Sequence, residues 1–231
     1  MRDDQRENIS LRTVRLPVLL AILIFGFSWS SFSNASNADK AWFESARRGQ
    51  LQSLLKLRKK VKIEVSNSAG ETALILAAEG GFKEVVKFLL NQKANINAID
   101  NEGNSSLSYA LDVGADDVSM LLLQSGVSLD FRSKDGNTYM ALAAKSGRKK
   151  IIEELIRRDP HAMEEANNEG ETPVMISLRG AYFALAEFLI KRGASINVVN
   201  KKGQKLIDVA NESGVPEGHT FYKLLNNSIS N

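Results

Sequence analysis

Hydrophobic and polar positions along this chain repeat in units of 33 or 34 residues. A short polar turn with a glycine at its centre occurs five times, at Gly70, Gly103, Gly136, Gly170 and Gly203. These glycines are 33, 33, 34 and 33 residues apart. A second small residue follows each of them in the same rhythm, at Gly81, Gly114, Gly147, Ala181 and Gly214. Two interleaved periods of one length indicate an array of similar structural units.

Each unit predicts two helices. After the turn, small and apolar residues such as Leu74 and Ala77 fall at helical spacing, and after the second small residue a more apolar stretch follows, as at Val86 and Leu89. Glycine suits the left-handed backbone of the turn. Ser and Thr are good N-caps, so the first helices are predicted to be capped by Thr72, Ser105, Thr138 and Thr172.

The segments GETALILAA at residues 70–78 and GETPVM at residues 170–175 resemble the turn and first helix of the ankyrin repeat. The loops ANIN at residues 94–97 and ASIN at residues 194–197 are similar to the loop that ends such a repeat. The resemblance covers about residues 41–225. It implies an all-α ankyrin-repeat solenoid of stacked helix-turn-helix units with short hairpin loops, and a role in binding proteins.

The repeat marks divide the chain into eight segments. We predict a signal peptide or membrane anchor at 1–38, a capping helix pair at 39–66, four repeats at 67–99, 100–132, 133–166 and 167–199, a shortened capping repeat at 200–225 and a flexible tail at 226–231. Pro216 is expected to open the last helix, because proline fits the first turn of a helix.

Residues 1–38 have the pattern of a secretory signal peptide. Arginines precede an apolar run at 16–29, and small residues follow it, with Ala35 or Ala38 as the residue before cleavage. The alternatives are an uncleaved anchor, for which the run is short against the roughly 20 apolar residues that a spanning helix needs, or neither role. We therefore expect a periplasmic or secreted protein, or one anchored in the inner membrane and facing the periplasm.

One family position departs from the pattern in every repeat. The resemblance implies a histidine that joins loop to helix by hydrogen bonds, but this chain has Ile75, Ser108, Ala141, Met175 and Asp208 there. The array is therefore expected to be looser than its relatives or to be braced in another way.

The amino-acid composition limits the kinds of function that this chain can have. With 30 basic and 27 acidic residues the net charge is +3, which does not indicate a nucleic-acid binder. Cysteine is absent, which excludes disulfides and thiolate metal sites. The two histidines, His161 and His219, lie in distant repeats, so we expect no enzyme, cofactor or metal site. Basic clusters around Arg47 and Arg157 are either solvated surface or docking sites for an acidic partner.

The resemblance also implies where binding occurs: at the turn tips and the exposed face of the first helices, which together form a concave strip. The residues placed there by the family pattern are Glu71, Glu79, Asn101, Glu102, Asn104, Asp112, Lys134, Asp135, Asn137, Lys145, Asn168, Glu169, Glu171 and Arg179. The strip is acidic in the early repeats and more basic later. Tyr109 and Tyr139 are expected either to anchor a partner or to pack between repeats.

The sequence thus predicts a monomeric, non-catalytic interaction scaffold that is exported and stabilises or inhibits a partner protein. The alternative is a secreted effector or a toxin-neutralising, immunity-type protein that acts on a foreign target. Contact with a membrane is expected only through the N-terminal segment.

Overall fold

The chain divides into two units, Met1–Ser36 and Asn37–Asn231. The structure, a computed structural model, describes residues 36–229, with side chains as far as Leu225. The apolar run predicted to be a signal peptide lies outside the described residues. The fold described below is that of the second unit.

Twelve α-helices occur in residues 36–229. They are α1 Asn37–Arg47, α2 Leu51–Leu57, α3 Ala73–Glu79, α4 Lys83–Asn91, α5 Ser106–Asp112, α6 Asp116–Gln124, α7 Tyr139–Lys145, α8 Lys149–Arg158, α9 Pro173–Arg179, α10 Phe183–Lys191, α11 Leu206–Glu212 and α12 Thr220–Ile229. A 3-10 helix, Pro160–Glu164, occupies the longer loop between α8 and α9. Each predicted segment from 39–66 to 200–225 contains one consecutive pair of these helices, although α12 extends past residue 225.

The odd-numbered helices form an inner row in which each packs on the next, from α1 to α11. One position in each inner helix from α3 to α11 is a small residue that is fully buried: Ala77, Ala110, Ala143, Ser177 and Ala210. Small side chains let neighbouring helices approach closely while the interior stays close-packed. The repeating alanines in the sequence therefore set the spacing of the inner row.

The even-numbered helices form an outer row. Their leucines Leu89, Leu122, Leu155 and Leu189 recur at one position and are buried. Consecutive outer helices pack on each other from α2 to α8, and α10 packs on α12. Between α8 and α10 the 3-10 helix packs against α8 and α9 and buries Ala162 and Met163. The additional residue of this repeat is accommodated in that loop.

Hairpin loops join the repeats. Within the described residues they contain isolated antiparallel bridges, such as Ser66 with Thr72 and Ile99 with Ser105, and no sheet. Their five central glycines have φ between +74° and +81°, a backbone conformation that glycine adopts without steric penalty. Three of the four predicted N-caps are confirmed, because Thr72, Ser105 and Thr138 accept a hydrogen bond from the third residue of their helix. Thr172 occupies the N-cap position without such a bond.

The helix boundaries differ from the prediction at both ends. Helix α1 begins at Asn37, two residues inside the segment predicted to be a signal peptide. Helix α12 begins at Thr220 and not at Pro216, because Gly218 has a φ of +79° that a helix cannot contain. It continues to Ile229, so residues 226–229 of the predicted tail are helical. In the described part of the chain, no helix is both long and apolar enough to cross a membrane.

Candidate protein-binding surface

The residues predicted for the concave strip lie in two rows. Each inner helix from α3 to α9 ends on one of them: Glu79, Asp112, Lys145 and Arg179. The remaining ten lie on or beside the hairpin tips that precede these helices. All fourteen are exposed or half-buried, so the strip is open to a partner along its length.

At the N-terminal end of the strip, the acidic side chains already have a partner. Arg47, at the end of α1, pairs with Glu71 at 3.1 Å and with Glu79 at 3.4 Å. Asn67 also donates to Glu71 at 2.6 Å. Both acidic strip residues of the first repeat therefore share one arginine, which balances part of their negative charge within the array itself.

At the C-terminal end, one arginine is again shared by two carboxylates. Arg179 pairs with Glu171 at 2.5 Å and with Glu212 at 3.5 Å, and it donates to Gln204 at 2.8 Å. Gln204 also donates to Glu212 at 2.5 Å. Sequence reasoning did not place Arg47, Gln204 or Glu212 beside the strip, although the same spacing that places Asp112 and Lys145 on the strip also leads to Glu212.

The two central repeats carry charges without such partners. In residues 36–229, Asp112, Lys134, Asp135 and Lys145 form no ion pair, and their side chains are exposed. The predicted change from acidic to basic residues along the strip therefore remains mainly in this central region. Within residues 36–229, the strip charges without an ion pair lie mostly in these two repeats, which also contain Glu102, and Glu169 of the fourth repeat is the exception.

Tyr109 lies on α5 at the edge of this central region and is half-buried. Its hydroxyl donates to Asp100 Oδ2 at 2.8 Å, and Asn104 Nδ2 lies 3.5 Å from the same hydroxyl. Burial, and then the hydrogen bond to Asp100, raise the pKa of Tyr109 to about 12. The phenol is therefore neutral at physiological pH and donates its proton to Asp100.

Tyr139 behaves differently. It is buried, its ring stacks on Phe131 with centroids 4.5 Å apart, and its hydroxyl lies 2.8 Å from Ser105 Oγ. Burial raises the pKa of Tyr139 to about 12, which the hydrogen bond to Ser105 opposes. Tyr139 therefore packs between repeats and does not anchor a partner.

The contact between Tyr139 and Ser105 shows how the array is braced at one position where the family histidine is missing. Ser105 and Ser108 form a capping box at the start of α5, with Ser105 N donating to Ser108 Oγ at 2.8 Å. Tyr139 of the next repeat adds its hydroxyl to the same pair. At this step the array is braced differently, through hydroxyl groups of two neighbouring repeats.

The other histidine and acidic side chains in the described part of the chain do not come together in a common site. Among residues 36–229, no three His, Asp or Glu side chains are placed to hold a metal ion. His161 is exposed, whereas His219 packs edge-on against Phe183 and lies 3.2 Å from Glu187. Part of the second basic cluster is structural, since Arg158 donates to the carbonyls of Leu123 and Val127 at 3.2 and 2.9 Å.

A stacked array of helix pairs with an open polar strip is the architecture of a protein-binding repeat domain. The chain belongs to the ankyrin-repeat family: the family model described as "Ankyrin repeats (3 copies)" matches residues 42–133 and 119–200. This fold is a non-catalytic scaffold for protein–protein interaction.

The repeat fold is common among solved structures, and 586 chains match it, so the fold alone does not identify a partner. One match is the immunity protein in the structure described as "Bd0816 Predatory Endopeptidase from Bdellovibrio bacteriovorus in complex with immunity protein Bd3460". The identity is 33%, the TM-score is 0.74, and the match covers 81% of this chain and 97% of that one. A search of curated proteins finds no match.

Proposed function

We propose that this protein is an exported, immunity-type inhibitor that binds an endopeptidase and keeps it inactive. The observation that carries the proposal is the 33% identity, over 97% of its length, with an immunity protein solved in complex with an endopeptidase. Among the functions that the sequence leaves open, the comparison thus favours the immunity-type protein over the general scaffold.

The surface supports a protein partner. The strip is exposed from α3 to α9, and its central charges are not used inside the array. Complementary charges across an interface contribute to specificity and to the rate of association more than to affinity. An inhibitor also needs no catalytic group of its own, which agrees with a fold that serves as a binding scaffold.

Export is the second part of the proposal. The arginine-rich start, the apolar run at 16–29 and the small residues after it would carry the repeats out of the cytoplasm. An inhibitor must share a compartment with its peptidase. Expression with a C-terminal tag in a Gram-negative bacterium, followed by fractionation and mass spectrometry of the N-terminus, tests this. A periplasmic protein that begins at Ser36 or Asp39 supports export, and an intact chain in the cytoplasm contradicts it.

The binding proposal is tested by titrating the purified chain into Bd0816 endopeptidase and measuring both complex formation and peptidase activity. A one-to-one complex with activity lost in proportion to its formation supports the inhibitor. A complex with full activity would instead indicate a stabilising scaffold. Failure to bind Bd0816 and its homologues would refute the proposal.

A further inference from the structure

The hairpins of neighbouring repeats are joined by a ladder of hydrogen bonds that is broken at one step. Asn101 N donates to Ala69 O at 3.0 Å, Asn168 N to Asp135 O at 2.9 Å, and Lys201 N to Glu169 O at 2.9 Å. In the described residues no such bond connects Lys134 to the hairpin of Gly103. The ladder therefore opens between the second and third repeats.

The central glycines show the same break. A Cβ added at Gly70, Gly136 or Gly170 would lie 2.5, 2.3 or 3.0 Å from the next hairpin. A Cβ at Gly103 would meet no atom within 4 Å. The tip of the second hairpin thus stands apart from the tip of the third.

A cavity of about 200 Å³ lies at this opening. It is lined by Asn104, Ser108, Tyr109 and Asp112 of the second repeat and by Ser133 and Leu142 of the third. Behind it, Tyr139 joins the two repeats through its hydroxyl contact with Ser105. The repeats are therefore held together at the back while a cleft remains open at the strip.

The chemistry of the cleft is that of a site for a cation with an aliphatic stem. Asp112 is the charged residue of the lining, and in residues 36–229 it has no ion pair. Leu142 and the ring of Tyr109 provide apolar surface, and aromatic rings attract cations. The nearby lysines Lys134 and Lys145 do not line the cavity.

We propose that the cleft between the second and third repeats is the specificity pocket of this protein and receives a lysine or arginine side chain from the surface of its peptidase. The proposal rests on the proposed function for the identity of the partner. The stem of the cationic side chain lies against Leu142 and Tyr109, and its charged head reaches the carboxylate of Asp112. The end repeats, where Glu71, Glu79 and Glu171 are already paired, contribute shape and less charge recognition.

The pocket is tested directly, without the peptidase, by NMR titration of the ¹⁵N-labelled chain with N-acetyl-lysine methylamide. Saturable shifts of the amides of Tyr109, Asp112 and Leu142 are expected, and they should be absent with the uncharged N-acetyl-norleucine methylamide. Asp112→Asn should abolish the shifts, whereas Glu84→Gln, an exposed acid on α4, should preserve them. Equal shifts from both compounds, shifts that survive Asp112→Asn, or no shifts at all would overturn the proposal.

The same variants are then measured with the peptidase. Asp112→Lys should weaken the complex by about tenfold or more, because it places a positive charge against the partner's own. The matched control Glu84→Lys makes the same change of charge on the outer row and should leave affinity within about twofold, since rim charges far from the contact have small effects. If the wild-type complex forms and Asp112→Lys binds as tightly, the pocket is wrong while the inhibitor proposal stands. If the wild-type protein does not bind, the inhibitor proposal fails, and the NMR titration alone decides the pocket.

Discussion

The ends of the array and its centre use similar residues in opposite ways. Arg47 and Arg179 each bridge two carboxylates within the array. At the centre, Asp112 and Lys145 occupy the same helix-end positions but form no ion pair in residues 36–229. The hairpin ladder is closed on either side of the centre and open there. The helix-end positions that stabilise the fold at the ends of the array therefore carry unpaired charges at its centre, where they are open to a partner.

The difference concerns the strip and not every contact between the central repeats. Arg148 of the third repeat pairs with Asp116 of the second at 3.7 Å, and neither residue belongs to the strip. Where the ladder opens, Tyr139 and Phe131 take over the contact between repeats from the back. The strip loses internal bonds there and gains a cavity.

The largest expected effect compares two hairpin glycines. Gly136→Ala should destabilise the fold by about 2–4 kcal/mol, because it combines a left-handed alanine with a clash against Asn168. Gly103→Ala has the same backbone cost but no clash, so about 1–2 kcal/mol is expected. Urea unfolding followed by circular dichroism measures both. Equal losses would contradict an open step after Gly103.

Tyr139→Phe removes the hydroxyl contact that joins the central repeats and should cost about 1 kcal/mol. It should also alter the alkaline response. The pKa of Tyr139 is raised from 10 to about 12 in the folded protein, so the unfolded chain releases this proton first and stability falls between pH 10 and about 12. Other groups titrate there too, so the measurement is the difference between wild type and variant. A variant that loses stability with the same pH slope would exclude the buried hydroxyl as the cause.

At the C-terminal end, Arg179→Met should cost about 1 kcal/mol, because it leaves Glu171 half-buried without its counterion. The central counterpart Asp112→Asn should change stability by less than about 0.5 kcal/mol, since its exposed carboxylate has no partner to lose. High salt should reduce the effect of Arg179→Met. Equal losses of stability for the two variants would show that Asp112 also has a stabilising partner within the array.

The last expected effect is an increase in stability. Among residues 36–229, the non-glycine residues with positive φ are Lys93 at 68° and Ala181 at 58°, both in outer repeats. Ala181→Gly should stabilise the protein by about 0.5–1 kcal/mol, because relief of the left-handed strain exceeds the added flexibility of glycine. Ala115→Gly, at a φ of −77°, is the control and should give no gain. A rise in Tm for Ala181→Gly alone is the expected result.

Much of the fold was predictable from local sequence. The glycine period, the alanines of the inner helices and the N-caps each act within one repeat or between adjacent ones, and they led to the correct family and helix pairs. The start of α12 was predicted wrongly, because Pro216 is a good helix opener but Gly218 interrupts the backbone before the helix forms. The placement of the strip residues at hairpin tips and inner-helix ends was also predictable, since it follows from the repeat period, and their role in binding stays a prediction.

The sequence did not predict which hairpins of the strip are joined by hydrogen bonds and which are separated. Lys134 and Lys201 occupy the same hairpin position, yet only the backbone of Lys201 bonds to the preceding hairpin. Nothing in either residue type distinguishes them. The opening depends on how the whole second and third repeats are set against each other.

By itself, therefore, the sequence determined the repeat, its helices and the positions of the strip residues, because these follow from periodic residues that act locally. The tertiary structure decided which charges are neutralised and where the cleft lies. Arg47 and Glu79, or Arg179 and Glu212, are 32 or 33 residues apart along the chain. Whether such side chains meet depends on the stacking of entire repeats, to which many weak contacts contribute, and no single residue fixes it.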